Sequence, residues 1–387
     1  SSLLLLLLIF YILKINNSNR EKKTMNIIAS TKELKEVLSK VYRGVASRPP
    51  HPALSGILLE AENNSLKLTA TDLEIGITSH SPAEVKEEGS IILPGKILHN
   101  LIKSLSNQEI EIFSFPDYTA EIRGEKSYYK LSGFSPEDFP IFPPPSTPEN
   151  FSVTGGKLKE GLSKVYFTTS KDESNPSLTG VLLHLEDEKL HLVASDDRFL
   201  GICTIEVEGG EGGEAQYILP LRTVIEIIRL AEERLDIFPR KGEIIFQGEN
   251  ISLFSRLIER EYPHYQRVIP QSFITQIFVS RSMFKEALER VLLVSSPDSP
   301  IVEFLIGGGK IELSSSGEVG IAKEELEAEI QGEELKVLFN ARYLLEALRA
   351  FSEEKIIWEL SGEGGASRLS GEGGALQYIL MPIEIKE

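Results

Sequence analysis

Apolar positions along this chain recur with two periods, and the periods alternate in a fixed order. Leu34, Val37, Leu38 and Val41 fall on one side of a helix, with Lys32, Lys40 and Arg43 opposite and Lys35 flanking them. After them, "HPALSGILLEAENNSLKLTATDLEIGI" (His51 to Ile77) reads as strand, tight polar turn, strand and third strand. "ILPGKILHNLIKSL" (Ile92 to Leu105) then runs from a short strand into an amphipathic helix, and "EIEIFSF" returns to period two. The predicted order is helix, strands, helix, strands.

That order occurs three times. "LKEVLSKVYR" (Leu34 to Arg43) is matched at eight of ten positions by "LKEGLSKVYF" (Leu158 to Phe167), and "FKEALERVLL" (Phe284 to Leu293) is a third copy. The strand blocks recur as "NPSLTGVLLHLEDEKLHLVASDDRFLGI" from Asn175 and "SPIVEFLIGGGKIELSSSGEVGI" from Ser299. Second helices are predicted in "ILPLRTVIEIIRLAEERL" (Ile218 to Leu235) and "LFNARYLLEALRAFSEEK" (Leu338 to Lys355). Pro-rich seams, "DFPIFPPPSTPEN" and "YPHYQRVIPQSF", close the first two copies. The expected fold class is α+β: three tandem copies of a duplicated helix-plus-antiparallel-sheet unit, with domains at 25–148, 149–274 and 275–387. Residues 1–24 are expected to be a non-native or upstream extension, with the native start at Met25. The apolar run from Leu3 to Leu13 is shorter than the roughly 20 residues a membrane helix needs, although an anchor remains the alternative.

Composition adds two constraints. A single cysteine, Cys203, excludes intrachain disulfides and Cys-rich metal sites and fits a reducing compartment. The formal charge is −17, which taken whole should repel nucleic acid. Yet the six predicted helices (30–43, 95–105, 155–167, 221–235, 280–294, 340–355) carry 18 Lys and Arg against 11 Asp and Glu. A net +7 on helices in an acidic chain points to a shared basic surface, and a repeating basic surface suits a repeating polyanion such as duplex DNA. A solvated helix face is the plainer alternative.

The motifs "SRPPHPALSGILLE", "LTATDLEIGI", "PEDFPIFP", "LVASDDRFL", "YPHYQRVIP" and "YILMPI", in this order and spacing, resemble the bacterial DNA polymerase III beta subunit family, the sliding clamps, from Met25 to Glu387. The resemblance implies a head-to-tail homodimeric ring with helices lining the hole and sequence-independent contacts to the duplex inside. It implies a processivity factor that tethers the replicative polymerase, clamp loader and repair proteins through short linear peptides, in the bacterial cytoplasm at the nucleoid. By alignment, the dimer contact would use Tyr129 and Leu131 against Leu293 and Val294, for which core packing is an equal alternative. The peptide pocket would use Leu178, Ser195, Arg198, Phe199, Leu200, Pro263, Arg267, Val268, Asn340, Tyr343, Ile379, Leu380, Met381, Pro382 and Ile383. DNA contacts would fall to Arg48 and Arg222, together with the helix cations Lys32, Lys40, Arg43 and Lys103. The chain departs from the family at "SDDRFL", where Asp197 takes a usually small position and Arg198 and Phe199 exchange order. A peptide-binding scaffold that never encircles DNA is the alternative function.

An enzyme is the rival class. Its best candidates are Asp72 in "ATDLE" and Asp196–Asp197 in "ASDDR", yet the third copy has "SSSGE" there. Asp in such a turn caps its own backbone. "GGGK" at Gly307 lacks the lead and the Ser/Thr of a phosphate-binding loop, and the six histidines are scattered. No catalytic residue, metal or cofactor is expected.

Overall fold

A computed structural model describes residues 24–106, 108–142, 150–209, 213–296 and 300–383. The proposed extension before Thr24, most of the Pro-rich seam and the last four residues lie outside these. Among the described residues are six α-helices: α1 (Thr31–Val41), α2 (Gly95–Ser104), α3 (Gly155–Val165), α4 (Leu221–Leu230), α5 (Arg281–Leu292) and α6 (Ala341–Ala350). Their starts follow local chemistry. Ser30 and Ser280 accept from the backbone N–H of Glu33 and Met283, and Asn340 accepts from that of Arg342, so each caps a helix that would otherwise leave that donor unpaired. The stripe Leu34, Val37, Leu38 and Val41 is buried, as its spacing requires.

Two helices end earlier than their sequences suggest. α4 stops at Leu230, because Arg234–Arg240 alternates buried Leu235, Ile237 and Pro239 with more exposed neighbours and pairs with Glu243–Gln247. α6 stops at Ala350, and Lys355–Leu360 is a strand. In both tails strand pairing overrides helix propensity. The earlier ends remove acidic residues from the tally. The six observed helices hold fifteen Lys and Arg against seven Asp and Glu, a net +8, which leaves −25 for the rest of the chain. Every helix is now net positive, α4 and α6 included.

The described residues form two compact units, one within 1–155 and 229–256, the other within 156–228 and 257–387. The middle repeat is divided between them. In the first unit the long strand Ile75–Glu87 organises the sheet. Its residues 75–79 pair with Ile251–Ser255, and its residues 83–87 pair with Asn26–Ala29. The sheet runs on through Glu109–Ser114 and Thr119–Gly124 to Ser127–Ser132, which among the described residues has a strand partner on one side only. Gly76 lets the Phe142 ring lie against this strand, since a Cβ there would sit 2.7 Å from it.

In the second unit a nine-stranded antiparallel sheet joins the middle and third repeats where Phe199–Cys203 pairs with Leu376–Leu380. The third repeat also builds a four-stranded sheet that ends in Gly320–Glu327, paired only to Lys310–Gly317 among the described residues. Its core centres on Trp358, fully buried, with Phe284, Phe304 and Phe339 at ring distances of 5.5, 5.2 and 5.6 Å.

Candidate functional site

A cavity of about 100 Å³ opens in the second unit where four segments of chain converge. Leu178 comes from the short turn Pro176–Thr179. Ser195, Asp197, Arg198 and Leu200 come from the turn between two strands of the sheet. Tyr262, Pro263, His264, Tyr265 and Val268 come from the second Pro-containing seam, and Ile379 and Met381 from the terminal strand. Strand register explains which neighbours face it. Leu200 lies opposite Ile379, and Phe199 lies opposite Leu380. Successive side chains point to opposite faces, so the first pair lines the cavity and the second turns away from it.

The turn at the rim is held by its own side chains. Ser195 Oγ accepts from the N–H of Asp197 at 3.1 Å, and Asp196 Oδ1 accepts from Arg198 and Phe199 at 3.1 and 2.8 Å. Asp196 Oδ2 accepts from the Tyr343 hydroxyl at 2.8 Å, which ties the rim to α6. Asp197 has a φ of 77°, a left-handed conformation that Asp tolerates better than most residues. The same bonds recur at Thr71, Asp72 and Leu73 in the first repeat, where Leu73 has a φ of 78°. Asp72 and Asp196 are thus turn carboxylates. No group of three or more His, Cys, Asp or Glu among the described residues could hold a metal ion.

Eight of the fifteen pocket residues expected from sequence line the cavity: Leu178, Ser195, Arg198, Leu200, Pro263, Val268, Ile379 and Met381. Phe199, Leu380 and Tyr343 lie on the other side of the strand, where Phe199 stacks on Tyr343 at 4.8 Å and approaches Tyr378 at 5.5 Å. Asn340 caps α6, Arg267 is exposed on the Tyr265–Val268 turn, and Pro382 and Ile383 follow Met381 outside the lining. Asp197, Tyr262, His264 and Tyr265 line it and were missed. For Tyr262, His264 and Tyr265 the signal was the "YPHY" stretch, which places two tyrosines three residues apart around a proline. Burial pushes the Tyr265 phenol up to about 12, helped by Glu186 and Glu214, and pushes Tyr262 well above the ordinary phenol range. Burial and the bond to Asp196 bring Tyr343 to about 12. The cavity therefore presents apolar walls with neutral phenols, a lining suited to an extended peptide with apolar anchors.

The expected DNA-contacting cations are all on the surface of their own unit. Lys32, Lys103, Arg43, Arg48 and Arg222 are exposed and Lys40 is half-buried. Lys32, Lys40 and Lys103 make no ion pair among the described residues, whereas Lys35 donates to the carbonyl of Leu105 at 2.5 Å and so caps α2. Of the expected dimer residues, Tyr129 is 36% exposed on the unpaired edge Ser127–Ser132, beside Leu131. Leu293 is 80% exposed at the end of α5, next to Val294. No helix of the described residues is long and apolar enough to cross a membrane.

Tandem helix-and-sheet repeats with uniformly cationic helices and an apolar-walled cavity define a protein of the DNA-clamp class. Models of the DNA polymerase III beta subunit match in series: its N-terminal domain over 25–143, its central domain over 152–264 and its C-terminal domain over 266–383. The chain is 30% identical to the beta sliding clamp of Synechococcus elongatus over 374 residues, covering 94% of this chain and 100% of the relative. It is 29% identical to that of Staphylococcus epidermidis, over 84% of this chain and 90% of the relative. The solved sliding clamp of Bacillus subtilis superposes with a TM-score of 0.89 at 25% identity, covering 94% of this chain and 100% of that one. The sliding clamp of Pseudomonas aeruginosa bound to griselimycin gives 0.88 at 25% identity, over 93% and 100%. The chain belongs to the DNA polymerase III beta subunit family, the beta sliding clamps.

Proposed function

We propose that two copies of this chain, by family a DNA sliding clamp and not an enzyme, close head to tail into a ring around duplex DNA. The ring then holds the replicative polymerase, clamp loader and repair proteins through short peptides seated in the Leu178–Met381 cavity. The observation that carries closure is where exposed apolar side chains collect. Tyr128 and Tyr129 are 58% and 36% exposed on the Ser127–Ser132 edge, and Val319, Ile321 and Leu293 are 81%, 73% and 80% exposed at the Gly320–Glu327 edge. An unpaired strand bearing apolar groups is an association surface unless it is covered. Two such edges of one chain, each covered by the other's counterpart, generate a closed dimer. Tyr129 and Leu131 meeting Leu293 and Val294 is the contact this predicts.

Affinity for DNA is then topological. Phosphate contacts need only be weak and even, which suits Lys32, Lys40, Arg43 and Lys103 with Arg48 and Arg222, and the −25 elsewhere keeps DNA from the outer surface. The repeats are proposed to run 25–148, 149–274 and 275–387, with 1–24 an extension, and the working compartment is the bacterial cytoplasm at the nucleoid.

The test is the solution mass of the protein and its retention on DNA. A dimer that stays on nicked circles at high salt and runs off linear ends is expected. Leu293→Glu should yield monomers that slip off both. A monomeric wild type that binds peptides and neither DNA form would establish the scaffold reading instead.

A further inference from the structure

A buried chain of polar groups leads from the cavity wall to solvent. Tyr265 lines the cavity, and its hydroxyl lies 2.7 Å from Nδ1 of His184. Nε2 of His184 lies 2.8 Å from Oε1 of Glu214. Tyr265 and His184 are 8% and 2% exposed, whereas the Glu214 side chain is 62% exposed. The carboxylate decides the tautomer. An ionised Glu214 can only accept, so Nε2 carries the hydrogen, and Nδ1 must then accept the Tyr265 O–H.

Other groups face this imidazole from each neighbouring strand. His191 sits in register with it across the sheet, with ring centres 5.7 Å apart. Nδ1 of His191 pairs with Thr204 at 2.9 Å and its Nε2 lies 3.4 Å from Glu186. Burial, and then His184 itself, hold His191 below the ordinary imidazole value, with Lys189 adding to the effect and Glu186 opposing it. On the other side Gln216 is in register with His184 and donates to Glu214 at 3.3 Å.

We infer that His184 is a positioning residue that sets Tyr265 in the cavity wall and makes the cavity's grip on a peptide weaken in acid. The inference rests on the peptide-pocket reading above. A second proton on the ring would turn Nδ1 from acceptor to donor. The Tyr265 oxygen then accepts from the ring, and its own O–H loses that acceptor and must turn to find another in the buried wall. The Glu214 carboxylate faces Nε2 whichever charge the ring carries, while His191, held below the ordinary imidazole value, resists taking a charge alongside it. Losing one buried hydrogen bond corresponds to about a fivefold change in affinity.

Calorimetric titration of the full chain with griselimycin, the ligand of the solved Pseudomonas aeruginosa clamp and on this reading a ligand of the cavity, from pH 8 to pH 5.5, tests this. Wild type should lose about fivefold in affinity towards the acid end. His184→Gln and Tyr265→Phe should each flatten the profile, and His191→Gln should keep it. Far-ultraviolet circular dichroism at both pH values confirms that each variant is folded. A flat wild-type profile, or an unchanged slope in folded His184→Gln, overturns the inference while leaving the pocket reading intact. Absence of griselimycin binding at every pH overturns the pocket reading, and this inference with it.

Discussion

Asp196→Ala isolates what the rim turn contributes. The carboxylate accepts three hydrogen bonds, two from the backbone of Arg198 and Phe199 at 3.1 and 2.8 Å and one from the Tyr343 hydroxyl at 2.8 Å. Charge-assisted bonds of this kind contribute about 1.5–3 kcal/mol each when buried. This turn is half-buried and water can replace part of each bond, so about 3 kcal/mol for all three is the working figure. Converted at about 1.4 kcal/mol per tenfold, amide exchange at Arg198 and Phe199 should accelerate about a hundredfold. Asp196→Asn keeps an oxygen for the backbone but loses the charge and sets an amide nitrogen, which cannot accept, against the Tyr343 hydroxyl, so its acceleration should lie between, nearer tenfold. Hydrogen–deuterium exchange of the 195–202 segment reads both. Asp72→Ala should do the same to Glu74 and Ile75 and leave 195–202 untouched. If Arg198 and Phe199 keep their protection in Asp196→Ala, or if protection falls evenly across the unit, the turn carboxylate is not what holds the rim.

Phe304→Ala removes a fully buried ring 5.2 Å from the single tryptophan. It should cost about 3–5 kcal/mol, read by Trp358 fluorescence in a denaturant titration. Gly76→Ala drives a methyl to 2.7 Å from the Phe142 ring and should cost about 1–3 kcal/mol in the first unit, seen as a lower melting transition with Trp358 unaffected. Tyr265 and Tyr343 hold their protons to about 12, above the unfolded phenol value of about 10. Their contribution to stability is complete below pH 10 and lost as pH rises towards 12, because the unfolded chain sheds these protons first. Melting temperature against pH, with tyrosinate absorbance alongside, should show that loss, and Tyr343→Phe should reduce it.

Much of the fold could be read from local pattern. Helix starts were visible from where the apolar stripe begins, and Ser30, Ser280 and Asn340 fix them locally on donors two or three residues away. Helix ends were not, because "AEER" and "FSEE" favour helix on their own and only a partner strand overrules them. The division of the middle repeat is less visible still. Ser79 Oγ donates to the carbonyl of Asn250 across 171 residues, and no window of sequence contains both ends of such a bond. The cavity was half legible for the same reason. Alignment with the family named Phe199 with Leu200 and Leu380 with Ile379, and only strand register separates the pair that lines the cavity from the pair that turns away. Tyr262 and Tyr265 sit in a stretch that read as a seam, and what a seam folds against is a tertiary fact.

The third repeat's missing aspartate has a structural sense that sequence could not supply. Thr71–Asp72–Leu73 and Ser195–Asp196–Asp197 each build a side-chain-capped turn with its third residue left-handed. The strands that follow are paired on both sides: Ile75–Glu87 by Ser65–Thr71 and Ile251–Arg256, and Phe199–Glu206 by Lys189–Ser195 and Leu376–Leu380. In the third repeat the corresponding residues are Ser316 and Gly317, and the chain turns back tightly with Gly317 opposite Gly320. There the strand that follows ends its sheet among the described residues, and Val319 and Ile321 stand exposed beside it. A turn between two fully paired strands must be fixed, since any slip breaks ladders on both sides. A turn leading to an open edge is under no such demand from its own chain. The three copies therefore diverge where their edges diverge, and the divergent residues of the third lie at the edge the proposed partner would have to meet.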